Sequence, residues 1–247
     1  MPSPRERNKS FNDTWASTLP PSFSPVIVIT GAASGLGNVM TRRMSEMLRG
    51  RRARFFLVGR DVGSGLRTIA DLRRADTLHS SSSSMGKSES ESDSEEWTDP
   101  RLDRYTFITC DLTHMSSVHS LITTLREKTD RVNYLVHCAG TYNNTGYGAS
   151  PTKEGIESPE LASRYYARFG LTFGLLPLLR RGGEEEGAGV MTVLGTGIPF
   201  WNKIDLDDLG FHKYYGFALR VMIHSGVYND LFITVRSPIL PKSLTHQ

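Results

Sequence analysis

The chain has 247 residues, 38% of them hydrophobic and 22% charged, enough for one sizeable core without forcing a second domain. A formal charge of +3, with no Lys/Arg block beyond Arg51-Arg52 and Arg73-Arg74, argues against a nucleic-acid partner. No apolar run reaches membrane-spanning length, the first residues lack the apolar segment of a signal peptide, and Cys110 and Cys138 lack metal-ligand spacing; no membrane, no metal and a reducing, cytoplasmic setting are therefore expected.

Residues 1–24 are polar and punctuated by proline, and are expected to form a disordered extension. Val26 to Ile29 then form an apolar run that reads as a buried strand. Thr30-Gly31-Ala32-Ala33-Ser34-Gly35-Leu36-Gly37 breaks it into a glycine-spaced turn opening a helix with Met40, Met44 and Leu48 at core spacing. Glycine lets backbone pass close to a pyrophosphate, and a helix N-terminus supplies free N–H groups and a positive dipole end. Strand, turn and helix at the start of a βαβ unit therefore predict a dinucleotide site built on Gly31, Ser34, Gly35, Leu36 and Gly37.

Ala53 to Val58 predict a second strand ending at Gly59-Arg60-Asp61, followed by a helical stretch through Leu66, Ile69 and Leu72. At this strand end a carboxylate would bind the ribose 2′-OH of NAD, whereas a cation accommodates the 2′-phosphate of NADP. Gly59 supplies no acid and Arg60 supplies a cation, so NADP(H) is expected over NAD(H); Asp61 points away or caps the next helix. From about residue 79 to 100 the chain turns to serine and acid, which cannot fill a core and reads as a disordered surface insert. It is read as a solvated spacer, with phosphorylation of its serines as the alternative role.

Tyr105 to Cys110 predict a third strand ending in Asp111-Leu112, and Val118, Leu121, Ile122 and Leu125 mark the helix after it. A fourth strand, Val132 to His137, runs into Cys138-Ala139-Gly140. Asn143-Asn144-Thr145 matches a glycosylation acceptor but reads as a turn. One long amphipathic helix is expected from about Pro159 to Leu179, an exposed turn at Glu184-Glu185-Glu186, and a fifth strand from Gly187 to Leu194. Leu231 to Val235 fit either a sixth strand or the end of a helix that begins before Val221. Strands alternating with helices predict an α/β fold: a Rossmann-like, doubly wound parallel sheet occupying residues 25–247 as one domain and ending short of its last strand or strands.

The glycine turn at 30–37, Gly59-Arg60, Asp111-Leu112 and Ala139-Gly140 together resemble the short-chain dehydrogenase/reductase family, over roughly residues 25 to 230 apart from the insert. The resemblance implies that Asp111 contacts the adenine and that Ala139 and Gly140 belong to the turn supporting the cofactor. Where the family carries Asn-Asn ahead of that Ala-Gly, this chain has His137-Cys138. Tyr165-Tyr166-Ala167-Arg168, the leucine-rich Leu175 to Leu179, and Ile204 to Leu209 resemble a fungal subgroup associated with secondary metabolism.

The family reduces carbonyls with a Tyr proton donor, a Lys four residues later that lowers its pKa, a Ser that polarises the carbonyl, and a relay Asn. In register, Asn falls on Arg164, Ser on Gly195, Tyr on Met222 and Lys on Gly226, so the usual tetrad is expected to be missing. The catalytic residues are left unassigned, with Tyr214, Tyr215 and Thr196 as candidates for a hydroxyl. Two readings stay open: an NADP(H)-dependent short-chain oxidoreductase acting on a carbonyl or alcohol of a small metabolite, or a catalytically impaired NADP-binding protein, scaffold or truncated gene product. The partner expected is a small-molecule substrate, and the oligomeric state is left open.

Overall fold

Val26–Thr30 forms β1, buried at all of its positions, and Arg54–Gly59 (β2), Tyr105–Thr109 (β3), Tyr134–His137 (β4) and Gly189–Thr192 (β5) join it in one parallel sheet of order β3-β2-β1-β4-β5. The computed structural model describes residues 22–83, 104–141, 151–156, 158–185, 187–194, 204–212 and 218–236, with residues 3, 6, 14, 19 and 20. Its helices are Gly35–Met47 (α1), Val62–Ser83 (α2), Met115–Lys128 (α3), Pro159–Leu161 (α4), Ala167–Gly174 (α5), Leu176–Glu185 (α6) and Ala218–Arg236 (α7), with a π segment, Ala162–Tyr166, between α4 and α5. No helix among the described residues is long and apolar enough to cross a membrane.

Both faces of the sheet are covered, which is why its central strands read as unbroken apolar runs. Side chains alternate across a strand. Val26 and Val28, with Phe56, Val58 and Leu135, pack against Val118, Leu121 and Leu125 of α3 and Leu171 of α5. Ile27 and Ile29, with Phe55, Leu57 and Val136, face the other way onto Leu48, Ile69 and Leu72. The expected α/β, doubly wound parallel sheet is thus the observed one.

Three details differ from the sequence reading, and one alternative it left open, at Leu231–Val235, is decided. The long helix expected over Pro159–Leu179 is interrupted, first by the π segment and again at Leu175, whose φ of −95° and ψ of 3° leave the helical region. The turn expected at Glu184–Glu186 is preceded by helix through Glu185. Leu231–Val235 closes α7, so the sixth strand does not form there. Helix α2 runs on through Ser80–Ser83, the first serines of the insert, because extending a formed helix costs far less than nucleating one. Residues 84–100 of the insert lie outside the described residues.

Helix α7 packs on α4 and the π segment through a third cluster, in which Val221 and Tyr228 meet Leu161 and Phe211. Asn229 Nδ2 donates to the Arg164 carbonyl at 2.9 Å, tying α7 to the π segment.

Candidate functional site: a cleft at the carboxyl edge of the sheet

Strand order reverses between β1 and β4, and in open α/β sheets ligands bind outside the carboxyl ends of the strands at such a switch point. A cleft of about 370 Å³ lies there. Gly31, Ser34, Gly35, Leu36 and Gly37 line it from β1, Arg60 from β2, Asp111 from β3, and Ala139 and Gly140 from β4. Four segments separated in sequence therefore bring all nine residues singled out for a cofactor to one place.

The centre of the cleft is tight backbone. Gly31 has φ +73°, its N–H donates to the Val58 carbonyl at 2.8 Å, and a Cβ on it would lie 2.8 Å from the Ala139 nitrogen. A Cβ on Gly37 would lie 2.3 Å from the Gly31 carbonyl oxygen. The turn is thus pressed so closely on neighbouring backbone that only glycine fits at positions 31 and 37. Ser34 is the N-cap of α1, yet its side chain makes no capping bond, so first-turn N–H groups at Gly35, Leu36 and Gly37 have no capping partner on their own helix. Such N–H groups and the dipole end of α1 suit a phosphate.

Arg60 and Asp111 mark the β2–β3 end of the cleft. Asp61 caps α2, its Oδ1 accepting the Ser64 N–H, and it lines the cleft beside Arg60 rather than pointing away from it. Burial alone would raise the Asp111 pKa, but hydrogen bonds from the Thr113 N–H at 3.0 Å and hydroxyl at 2.8 Å, with Arg60 and His114 nearby, hold it below the usual carboxylate range. It is therefore ionised at neutral pH and accepts hydrogen bonds.

Thiol chemistry does not fit this cleft. Cys110 and Cys138 both line it, but burial pushes the Cys110 pKa up to about 12, with Asp111 adding to the effect. Burial also raises Cys138, outweighing the opposing pull of Arg168. Thiols rather than thiolates stand there, and the thiol is the weak nucleophile. The two cysteines follow β3 and β4, with β2 and β1 between them, so they are roughly 14 Å apart at about 4.8 Å per strand. That exceeds the reach of a disulfide.

The candidate proton donors are not brought into view: Thr196, Tyr214 and Tyr215 lie outside the described residues, as does Gly195. Met222 and Gly226 are on α7, and neither lines the cleft. A larger hollow of about 440 Å³ sits beyond the N-terminus of α3, walled chiefly by Val118, Ile122, Ile156, Leu161 and Phe169. It is mainly apolar, with His119, His212 and the turn residue Gly155 also on its wall, but it carries no Lys or Arg and no glycine turn at a helix N-terminus, so the smaller cleft is the better candidate for a nucleotide.

Sequence reasoning gave no role in the site to three groups here, although it had named Arg164 and Arg168. Ser163 lines the cleft, its hydroxyl accepting the Thr141 N–H at 3.1 Å. Arg164 and Arg168, one turn apart, reach the loop after β4: Arg164 Nε donates to the Thr141 carbonyl at 2.9 Å and Arg168 Nη2 to the Ala139 carbonyl at 2.8 Å. The available signal was a cation at position 168, on the same helical face as Ala167, Leu171 and Leu175, where the pattern calls for an apolar residue.

His137, at the end of β4, is 1% exposed, with Nε2 at 3.1 Å from the Thr172 hydroxyl and Nδ1 without a partner. Burial, chiefly, and the Arg168 cation lower its pKa to about 3. The unfolded imidazole titrates near 6.5 and takes up a proton that the folded one refuses. The neutral histidine therefore stabilises the fold fully above about pH 6.5, and that contribution falls on acidification by up to about 1.4 kcal/mol per pH unit. Urea unfolding between pH 7.5 and 5 should show a steeper acid loss for the native chain than for His137→Asn, which carries the residue the family has there. Parallel curves would remove His137 as the cause.

Comparison with known proteins agrees with this geometry. The KR domain family matches residues 25–150, half of the chain, from the start of β1 to just beyond the loop after β4. The chain is 28% identical over 188 residues to "Oxidoreductase andH" of Emericella variicolor, covering 76% of this chain and 46% of that protein. It is 27% identical over 205 residues to "Polyprenol dehydrogenase" of Mus musculus, covering 81% of this chain and 50% of that one. The chain thus spans about half the length of these curated relatives. Among solved structures, a metagenomic short-chain oxidoreductase in complex with NADP superposes with a TM-score of 0.59 at 17% identity, covering 90% of this chain and 79% of that one. An NADPH-bound carbonyl reductase from chicken fatty liver gives 0.53 at 18% identity, covering 87% and 73%. These likenesses carry the fold, and the family match carries the kinship. A parallel sheet whose order reverses at a glycine turn, with β1 to β4 inside the segment matched by the KR domain, is how a short-chain dehydrogenase/reductase is built, and this chain belongs to that family.

Proposed function

We infer that the chain is an NADP(H)-dependent short-chain oxidoreductase acting on a carbonyl or alcohol of a small metabolite. One observation carries the reading: the loops after β1, β2, β3 and β4 meet in a single cleft lined by the tight glycine turn at the N-terminus of α1 and by the Arg60 cation. The residues fit the group, since the turn at Gly31 and Gly37 is packed so closely on its own neighbours that main chain, not side chain, faces the cleft there. When bound, the nicotinamide ring gives or takes a hydride; the chain binds and orients it. Two relatives whose names denote an oxidoreductase and a polyprenol dehydrogenase support alcohol–carbonyl chemistry. A place in fungal secondary metabolism rests on the sequence resemblance at Tyr165–Arg168, Leu175–Leu179 and Ile204–Leu209. Two protonated, unbridged thiols fit a cytoplasmic setting.

Preference for the 2′-phosphate rests on Gly59-Arg60, where β2 ends without a carboxylate, and on Asp61 being engaged as a helix cap. Calorimetric titration should give tighter binding of NADPH than NADH. Arg60→Ala should cost roughly 10- to 100-fold in NADPH affinity, the worth of one or two charge-assisted hydrogen bonds, and little in NADH affinity. Equal binding of both nucleotides, untouched by Arg60→Ala, would overturn the preference.

A second reading, nucleotide binding without turnover, is favoured by Met222 and Gly226 standing at the family's Tyr and Lys positions in register. Losing a positioned general acid removes about 10²–10⁴ in rate. Consumption of NADPH against a panel of aldehydes, ketones and quinones separates the two readings.

A further inference from the structure

Arg168 is 3% exposed at the start of α5, and its guanidinium bridges the carboxyl ends of two strands: Nη1 donates to the Val193 carbonyl at 2.9 Å and Nη2 to the Ala139 carbonyl at 2.8 Å. Its Nε has no partner, and no carboxylate among the described residues pairs with it. A buried cation compensated by carbonyl dipoles alone is costly. Such arrangements cluster where an anion or a developing charge is to be met.

Arg164 brings a second guanidinium to the same strip of chain. It lies in the π segment, a distortion frequent at functional sites. Its Nε is fixed on the Thr141 carbonyl, and its Cζ is 3.4 Å from where Gly140 would carry a Cβ. Gly140 and Thr141 line the cleft at its β4 end. Glycine cradle, Arg60 and Asp111 occupy the β1–β3 side. A dinucleotide laid across the switch point spans both halves. Its adenosine and first phosphate account for one side, and the remainder runs toward Ala139–Thr141.

We propose that Arg164 binds the nicotinamide half of the dinucleotide, at its second phosphate and ribose, and that Arg168 is a positioning residue that holds the β4 and β5 ends and adds positive field beneath it. The proposal rests on the nucleotide-binding reading above and adds the residue pair that reads the half distant from Arg60.

The test titrates the full chain with NADPH and with adenosine 2′,5′-bisphosphate, which lacks the nicotinamide half. Arg164→Gln should weaken NADPH roughly 10- to 100-fold and leave the bisphosphate within about twofold. Arg164→Lys, which keeps the charge, should recover part of the loss. Arg168→Gln should give the same one-sided loss, and thermal unfolding of each variant reports folding separately. A structural role for either arginine would weaken both ligands alike, and that result, or no change in either, overturns the proposal. Failure of the native chain to bind either ligand would instead sink the nucleotide reading, whereas native binding of both with Arg164→Gln indifferent would remove only the arginine assignment.

Discussion

Gly37→Ala is expected to lower NADPH affinity roughly 100-fold, the equivalent of about two charge-assisted hydrogen bonds. The new methyl would stand 2.3 Å from the Gly31 carbonyl oxygen, 2.8 Å from its carbonyl carbon and 3.1 Å from Cys138 Cβ. The first two are backbone atoms of a turn already committed to φ +73° and itself pressed against Ala139. Relief therefore moves α1 away from β1 or pushes the turn into the loop after β4, and either shift misaligns the first-turn N–H groups. Overpacking of this kind costs about 1–3 kcal/mol of stability. Gly35→Ala is the control: a Cβ there meets nothing within 4 Å, so only its φ of +55° is penalised. That penalty is about 1–2 kcal/mol, with most of the affinity kept. Urea unfolding and calorimetry of the two variants measure both quantities. Equal loss of affinity in both would mean that helix flexibility rather than the close approach governs binding.

The β1, β2 and β3 features of the cleft were legible because local sequence dictates them. A glycine with positive φ and another under a carbonyl leave a spacing mark, and the apolar run before them can only be a strand buried on both faces. Arg60 and Asp111 follow by counting to the next strand ends. The β4 side was harder. Interruption of the helix by the π segment leaves no trace in periodicity, since an extra residue within one turn shifts the apolar face by less than the width of that face. Arg168 was visible only as a family marker, because a lone arginine at core spacing does not say whether it snorkels out or turns inward to two carbonyls. Leu231–Val235 stayed ambiguous between strand and helix for the ordinary reason that short apolar runs suit either. What decided it was α7 reaching that run already formed, anchored by Asn229 on the Arg164 carbonyl and by Tyr228 on the Leu209 carbonyl.

Asn133→Ala should remove about 3–5 kcal/mol of stability while leaving nucleotide affinity within about twofold, because it acts at the opposite edge of the sheet. Asn133 is fully buried just before β4. Its Oδ1 accepts the Val26 N–H at 2.9 Å, and its Nδ2 donates to the Gly182 carbonyl at 3.2 Å and the Gly187 carbonyl at 3.0 Å. Its backbone adds a donation to the Val26 carbonyl at 2.8 Å and accepts the Gly189 N–H at 2.7 Å. One side chain thus clasps the amino ends of β1 and β5 and the last turn of α6. The clasp closes only because position 182 is glycine, where a Cβ would lie 2.3 Å from the Val132 carbonyl oxygen. Truncation leaves the Val26 N–H and two carbonyls without these partners, in a space that alanine cannot fill. A domain holds about 5–15 kcal/mol in total, so the variant should unfold at markedly lower urea with an unchanged denaturant slope. Asn133→Asp makes the chemistry explicit: it keeps an acceptor for Val26 but turns a second oxygen toward two carbonyls, so it should be no more stable than alanine. If aspartate rescued the fold, the two donations to α6 and the β5 loop would be dispensable and the clasp would reduce to its single bond on β1. Retained affinity in the alanine variant, measured below its unfolding transition, would show that the amino edge of this sheet carries stability while the carboxyl edge, with its tight glycine turn and its buried cation, is left free to bind.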